Sequence, residues 1–212
     1  IKESVKLGIP IIAIDTGVSG AEVTSFVATD NYAVAKVQGA VAATLVKDGD
    51  TVIYVTGNQA QSTGQERRNG FMEAFAAARP GSKILEVPTE WSSEQAQEGV
   101  EAVLNANSDV KMVVNAWDGG TMAAKAALEN LGYGAGDVKL VGFDGAGDAI
   151  GAMDEGWVHA DTAQMLYQMG YQGIKAAAAA ARGESVSPRI DTGFFLVTPS
   201  TSGVYKKMVG IN

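Results

Sequence analysis

Acidic, amide, guanidinium and indole side chains follow the apolar runs of this chain, where open parallel sheets place their ligands. Carboxylates and amides accept or share hydroxyl hydrogens, a guanidinium donates hydrogen bonds in a fixed fork, and indoles cover C–H faces. Because few of these side chains are cationic, they do not favour a phosphate. The candidates for a polyhydroxylated ligand are Asp15, Arg67, Trp91, Trp117, Asp118, Asp144 and Gln164.

Two adjacent arginines, Arg67 and Arg68, are placed against the local electrostatics of a predicted helix. The segment Thr63-Gly64-Gln65-Glu66 matches a capping box, so both cations fall near a helix N-terminus. Cations there oppose the helix dipole at a cost of a few tenths of a kcal/mol each. Arg67 lies four residues before Phe71 on the inward face, so we expect it to bind ligand. We expect Arg68 to lie on the surface or to support residues that contact the ligand.

The carboxylate candidates also have structural explanations. Asp144 could belong to a turn or cap a helix, although Asp148 is better placed to cap the helix that follows. Asp118 precedes Gly-Gly-Thr and could be an N-cap, a role compatible with ligand binding. Asp15 could form an Asx turn before Thr16-Gly17.

The same holds for the remaining candidates. Trp91 precedes the capping box Ser92-Ser93-Glu94-Gln95 and could form a hydrophobic staple with Ala96. Trp117 could be a core residue at a strand end. Gln164 could bond the backbone where the chain crosses between sheets.

Several kinds of catalysis lack the residues that they need. The chain has no cysteine and one histidine, His159, whose apolar–polar surroundings predict a half-buried strand residue rather than a base or metal ligand. The glycine-rich segment 57–64 has neither a Gly-Lys-Ser/Thr ending nor a G-x-G-x-x-G pattern, so no nucleotide loop is predicted. Nothing places two carboxylates across a scissile bond. We predict a binding protein without catalytic residues, metal or cofactor.

Composition and charge narrow the choice of partner. The 212 residues suffice for one large or two modest domains. With 24 acidic and 16 basic residues the net charge is −8. No segment of the sequence has a cluster of lysine and arginine, so no nucleic-acid-binding surface is predicted. The longest apolar stretch, Ala176–Ala181, is too short to span a bilayer. The chain opens with Ile1 in what reads as the end of a helix, so we expect its beginning to be missing.

The elements that must position these residues alternate between strand and helix. Short β-branched runs at 9–14, 51–56, 84–87, 110–115, 138–143, 158–162 and 194–197 predict strands. Segments of helical period lie between them at 31–47, 65–78, 94–106, 121–131, 148–154 and 166–182. Continuous apolar strands alternating with helices indicate an α/β fold with a doubly wound parallel sheet.

With these residues in view, the sequence resembles the type I periplasmic sugar-binding proteins of ABC transporters, the ribose-binding members among them. The matching segments run in the order of the family over nearly the whole chain. They are Gly8-Ile9-Pro10-Ile11-Ile12-Ala13-Ile14-Asp15, Val27-Ala28-Thr29-Asp30-Asn31, Glu66-Arg67-Arg68-Asn69-Gly70-Phe71, Val141-Gly142-Phe143-Asp144-Gly145 and Ala163-Gln164.

The resemblance implies two doubly wound parallel-sheet lobes joined by crossover strands, with the first lobe incomplete. Residues 1–29 and 165–193 would form the remaining part of the N-terminal lobe, and residues 30–164 and 194–212 the C-terminal lobe. It also implies that Trp91 stacks on the sugar and that hydroxyls bond to Asp15, Arg67, Asp118, Asp144 and Gln164. Thr16 and Trp117 stand where ribose-type members carry arginine and asparagine, so another pentose, a hexose or a sugar alcohol is at least as well suited as ribose.

By that likeness the chain is a carrier located in the periplasm or otherwise outside the cytoplasm. It would bind a monosaccharide or sugar alcohol between two closing lobes, deliver it to a membrane permease, and contact the membrane only through that permease. The alternative is the effector-binding core of a LacI-type transcription regulator, which shares the fold and would need a DNA-binding helix-turn-helix before Ile1.

Overall fold

Strands and helices alternate along most of the chain in the computed structural model, which describes residues 1–211. The strands are β1 (Ile12–Ile14), β2 (Ser25–Ala28), β3 (Thr51–Val55), β4 (Lys83–Val87), β5 (Val110–Asn115), β6 (Lys139–Asp144), β7 (Val158–Gln164), β8 (Arg189–Asp191) and β9 (Phe194–Val197). The helices are α1 (Lys2–Lys6), α2 (Asn31–Leu45), α3 (Ser62–Ala78), α4 (Ser93–Ala106), α5 (Asp118–Asn130), α6 (Gly147–Asp154), α7 (Leu166–Ala181) and α8 (Ser202–Val209). The predicted α/β class is confirmed.

The strands form two separate sheets. The larger has the order β4-β3-β5-β6-β7-β9 and the smaller the order β1-β2-β8. All pairs are parallel except β7 with β9, which run antiparallel. The predicted parallel sheet therefore carries one antiparallel pair, at this edge. Strand β9 enters the larger sheet directly from β8 of the smaller sheet, with only Thr192 and Gly193 between them.

The strands of the larger sheet are apolar because helices cover both of their faces. Every residue of β3 is buried, and Tyr54 stacks on Phe71 of α3 with ring centroids 4.4 Å apart. The smaller sheet has a smaller core around Val27 and Met169. Large apolar side chains remain exposed around it, on α1, β1 and α7: Val5, Ile14, Leu166, Tyr167, Tyr171 and Ile174.

Helices α2 and α3 pack closely enough to fix side chains across their contact. A Cβ added to Gly39 of α2 would lie 2.8 Å from the Phe71 carbonyl oxygen and 3.1 Å from the Phe75 nitrogen. Gln38 also ties α2 to the larger sheet, because its amide donates to the carbonyls of Asn115 and Gly142, both at 2.9 Å. These contacts set the position of α3, which carries Arg67.

Helix α3 begins one turn earlier than predicted. It starts at Ser62, with Gln61 as an N-cap whose side chain makes no capping bond, so the capping box expected at Thr63 is wrong. The loop before the helix is held instead by Gln59, whose amide donates to the carbonyls of Gly57 and Gly64. The capping box before α4 is confirmed in part, since the Gln95 N–H donates to the Ser92 hydroxyl at 3.2 Å.

Candidate functional site

A cavity of about 330 Å³ lies where the carboxyl ends of the strands in the larger sheet face the end of β1. Six of the seven predicted site residues line it, and Asp118 does not. The lining residues are Asp15, Thr16, Gln61, Thr63, Arg67, Trp91, Trp117, Asp144 and Gln164. Strand ends and the first turns of α3 therefore bring together residues from Asp15 to Gln164.

Arg67 is the buried cation of the cavity, with a side chain 4 % exposed. Its Nε donates to Asn31 Oδ1 at 2.8 Å, and its Nη1 donates to the Ala116 carbonyl at 2.7 Å and to Asp144 Oδ1 at 2.9 Å. The guanidinium also lies 3.9 Å from the centre of the Phe143 ring. A planar fork stacked on an aromatic ring and held by three acceptors has one defined orientation.

Asp144 and Gln164 present unused acceptors beside Arg67. The Gln164 amide donates to Asp144 Oδ1 at 2.8 Å, while Gln164 Oε1 is buried and has no partner among the described residues. Burial raises the pKa of Asp144, although the nearby Arg67 guanidinium works in the opposite direction. Within residues 1–211, Asp144 Oδ2 likewise accepts no hydrogen bond. These oxygens are suited to receive hydroxyl hydrogens.

Two indoles form the aromatic wall of the cavity. Trp91 and Trp117 meet edge to face with ring centroids 5.4 Å apart. Trp91 Nε1 donates to Gln61 Oε1 at 2.6 Å, and its ring lies over Gly57, where any Cβ would overlap it. The sequence left open whether these tryptophans belong to the core, and both line the cavity.

Backbone strain is concentrated at this cavity. Asp15, Trp91 and Asp144 have φ values of 69°, 63° and 119°, and they are the non-glycine residues with positive φ in the described chain. Such conformations cost about 1–3 kcal/mol each and persist where the surrounding structure fixes them, as at ligand sites. The Thr16 hydroxyl donates to Asp15 Oδ2 at 2.9 Å.

Asp118 lies beneath the cavity, where the sequence predicted a direct contact with ligand. It is the first residue of α5 and is 2 % exposed. Its Oδ2 accepts the N–H of Ala146 at 2.7 Å, which fastens the segment that follows Asp144. The preceding residue, Trp117, occupies the N-cap position without a side-chain capping bond.

Other predictions fall outside the cavity. Arg68 pairs with Glu86 on the surface, as expected. His159 is half-buried on β7, and burial lowers its pKa. Sequence reasoning missed Gln61 and Thr63, because it began α3 at Gln65 and so left no helix turn to carry them.

Neither a metal site nor a membrane span is found in the described part of the chain. Across residues 1–211, no three His, Asp or Glu side chains cluster in a way that could hold a metal ion. None of the described helices combines the length and the apolar character that crossing a bilayer requires.

Known proteins resemble this chain in sequence and in structure. The family described as "periplasmic binding protein domain" matches residues 1–185. The ribose import binding protein RbsB of Escherichia coli K12 is 30 % identical over 197 residues, which are 93 % of this chain and 66 % of that protein. The chain thus spans slightly less than two thirds of this relative.

Two solved structures share the fold. An ABC transporter solute-binding protein from Mycobacterium smegmatis with bound glycerol is 30 % identical, with a TM-score of 0.87 over 96 % of this chain and 70 % of that one. A periplasmic solute-binding protein from Actinobacillus succinogenes with bound D-allose is 25 % identical, also with a TM-score of 0.87, over 96 % and 74 %. These relatives are binding proteins, not enzymes, as predicted for this chain. The chain belongs to the periplasmic binding protein family, with the type I fold.

Proposed function

We propose that this chain is the larger part of a solute-binding protein that binds a monosaccharide or sugar alcohol and delivers it to the permease of an ABC transporter. One observation carries the proposal. In the cavity, the Arg67 guanidinium, whose Nη2 has no acceptor among the described residues, lies beside two unused acceptors, Asp144 Oδ2 and Gln164 Oε1, and beside two indole faces. A ligand with both hydroxyl groups and C–H faces can donate to the polar acceptors and pack against the indoles at the same time.

In this proposal, different lining residues contact different parts of the ligand. Asp15, Arg67, Asp144 and Gln164 bond hydroxyls, and Trp91 stacks on the sugar. Trp117 supplies a second indole where ribose-type relatives have a small amide, which favours a ligand with more C–H surface than ribose offers. Asp118 acts on the ligand only through the backbone that it holds.

The proposed site lies between two lobes. Residues 1–29 and 165–193 would contribute to one lobe, and residues 30–164 and 194–211 to the other; the predicted range ended at Asn212, which lies outside the described residues. The partition is supported by the sheets, because β1, β2 and β8 fall in the first set and the other strands in the second. A ligand contacted by both lobes would stabilise their closed arrangement.

The partner and location follow from the same reasoning. A carrier that feeds an importer works outside the cytoplasm, and we infer a periplasmic or otherwise extracytoplasmic location. The names of the relatives support a permease as partner, since the Escherichia coli relative is an import binding protein and two solved relatives belong to ABC transporters.

Thermal unfolding of the full-length protein with a panel of D-ribose, D-allose, D-glucose, myo-inositol and glycerol tests the proposal. A ligand present at about a hundred times its Kd stabilises the native state by about 2.7 kcal/mol. For a protein of this size, that raises the Tm by about 5–10 °C. A panel of pentoses, hexoses and polyols that leaves the Tm unchanged would refute sugar binding.

A further inference from the structure

Two buried carboxyl groups meet beneath the cavity, outside the set that lines it. Asp118 begins α5 and Asp161 lies in the middle of β7, paired in register with Gly142 of β6. Asp161 is fully buried. A Cβ on Gly142 would lie 2.6 Å from Asp118 Oδ1 and would overlap Asp161 Oδ2. Both carboxyls therefore point into the space that this glycine leaves open.

The hydrogen-bond partners of the two carboxyls are unequal. Asp118 accepts the Ala146 N–H at 2.7 Å and faces the Thr121 hydroxyl at 3.3 Å. Both Asp161 oxygens are buried and no donor among the described residues meets hydrogen-bond geometry with them, although the Gly145 N–H is close enough to lower the Asp161 pKa against the rise that burial causes. A proton shared by the pair removes this deficit, because the protonated carboxyl of one residue can then donate to the carboxylate of the other.

We propose that Asp118 and Asp161 share one proton and that this acid pair positions the Asp144–Ala146 segment of the cavity. The positioning role rests on the proposed sugar site, whereas the shared proton does not. Neither residue touches the ligand in this proposal. Asp161 acts through Asp118, and Asp118 acts through the backbone of Ala146.

The neighbouring charges favour a single proton on the pair. Asp144 of β6 is a nearby anion, Arg67 of α3 is the buried cation, and Tyr205 of α8 faces the same region. Burial raises the pKa of Tyr205 to about 12, so it is neutral. The facing side chain of α2, Gln38, is an uncharged amide. Two ionised carboxylates would add to the charge of Asp144 with only Arg67 to offset them.

The burial of the pair agrees with this assignment. Burial raises the pKa of Asp161 to about 7. The pKa of Asp118 is also raised well above its usual range by burial and, secondarily, by the charge of Asp161. Buried like charges that share a site are expected to retain one proton in this way.

The Asp144–Ala146 segment, which the acid pair positions, has a strained backbone that other contacts must hold in place. Asp144 has a φ of 119° and Gly145 a φ of 79°. Beyond the bonds from Arg67 and Gln164 to the Asp144 side chain, the segment is held by the bond from the Ala146 N–H to Asp118 and by the bond from the Tyr205 hydroxyl to the Gly145 carbonyl at 2.9 Å. If Asp118 lost its partner and moved, Asp144 could relax away from Arg67.

Thermal unfolding of the full-length protein against pH tests the shared proton. Because the folded pKa values of Asp161 and Asp118 both lie above the unfolded value of about 4, the stabilisation from the pair is complete below about pH 4 and declines as the pH rises through about 7 and beyond. We expect the Tm of the wild type to fall between about pH 5 and about pH 8, and the Tm of Asp161→Asn to fall much less, since the amide donates at every pH. Glu98→Gln, which removes an exposed carboxylate from α4, should keep the wild-type slope.

A second measurement covers the case in which the variant does not fold. The ¹³C-NMR carboxyl resonance of Asp161 in the wild type should titrate near pH 7 or above, far from an ordinary aspartate. Titration near pH 4, or equal Tm slopes in the wild type and Asp161→Asn, would overturn the shared proton.

Sugar affinity tests the positioning role separately. With D-ribose, D-allose and myo-inositol as probes, Asp161→Ala should bind about tenfold more weakly than Asp161→Asn, because only the amide can donate to Asp118. Equal affinities of the two variants would overturn the positioning role. If the wild type binds none of the three sugars, the proposed site fails while the pH measurement still decides the shared proton.

Discussion

Arg67 and its partners show how single side chains can prepare a site for hydroxyl groups. Nε and Nη1 of the guanidinium donate to Asn31, Ala116 and Asp144, whereas Nη2 has no acceptor within residues 1–211. Because these bonds fix its plane and engage only one oxygen of Asp144, the other oxygen remains free for a ligand. In the proposed sugar site, these polar groups are therefore ordered before a ligand enters, which would reduce the entropy lost on binding.

Arg67→Lys tests this arrangement. Lysine keeps the positive charge but cannot reach all three acceptors with a rigid fork. Because a hydrogen bond to a charged group contributes about 1.5–3 kcal/mol, sugar affinity should fall by about 10- to 100-fold. Isothermal titration measures the change. Arg68→Lys, one residue away on the surface, should alter affinity less than about threefold; equal losses in the two variants would contradict the role of Arg67.

Gly57→Ala tests the indole wall without touching a polar group of the site. The new methyl would overlap the Trp91 ring and displace it from the cavity. Loss of an aromatic contact worth about 0.5–1.5 kcal/mol should weaken sugar binding by about 2- to 10-fold, as measured by titration. Gly151→Ala on α6 has open space around its added Cβ and should leave affinity unchanged. Unaltered binding by Gly57→Ala would argue against stacking on Trp91.

The sequence predicted most of the residues at strand ends that line the cavity, but it did not predict which carboxyl groups are buried beneath the cavity. Asp15, Asp144 and Gln164 follow recognisable apolar runs, so their convergence could be predicted from the topology of parallel sheets. Asp118 sits just as close to a strand end, but its side chain points inward, and strand order alone does not fix that direction. Asp161 looked like an ordinary strand residue, because its burial depends on the helices packed over β7.

Helix α3 shows how the elements transmit position to the site. It carries Thr63 and Arg67, and its contact with α2 brings Asn31 within reach of the Arg67 guanidinium. The close approach depends on Gly39, which leaves no room for a side chain between the two helices. The packing of α2 on α3 therefore determines the position of the Arg67 guanidinium in the cavity.

Gly39→Ala tests this link. Its Cβ would press on the backbone of α3 at Phe71 and Phe75, which cannot yield as a flexible side chain would. We expect a loss of about 1–3 kcal/mol in the free energy of unfolding, measured by urea denaturation. Gly170→Ala, at an exposed position of α7 with nothing near its Cβ, should instead stabilise the protein by about 0.5–1 kcal/mol. A neutral Gly39→Ala would contradict tight packing of α2 on α3.

Long, strongly patterned elements could be predicted, and short ones at sheet edges could not. The strand over Val110–Asn115 has the predicted bounds. Strands β2 and β8 have four and three residues, too few to show a period, and they are recognisable only through their pairing with each other. Helix α8 was missed for a similar reason, since its eight residues have only two buried side chains.

Across the whole chain, two sheets of unequal size border one cavity. The larger sheet supplies most of the lining, and the smaller sheet supplies Asp15 and Thr16. A ligand held by residues from both would draw the two sheets together, and this is how we expect binding to be converted into a shape that a permease recognises. The net charge of −8 is consistent with a neutral ligand and adds no attraction for nucleic acid.

A crystal structure of the full-length protein with the sugar that stabilises it most is the most direct test of the proposed site. We expect sugar hydroxyls within hydrogen-bonding distance of Arg67, Asp144 and Gln164, at about 2.6–3.2 Å, with a ring face against Trp91. Asp118 should remain beneath the cavity, bound to Ala146. A sugar bound elsewhere, with this cavity filled only by water, would contradict the assignment.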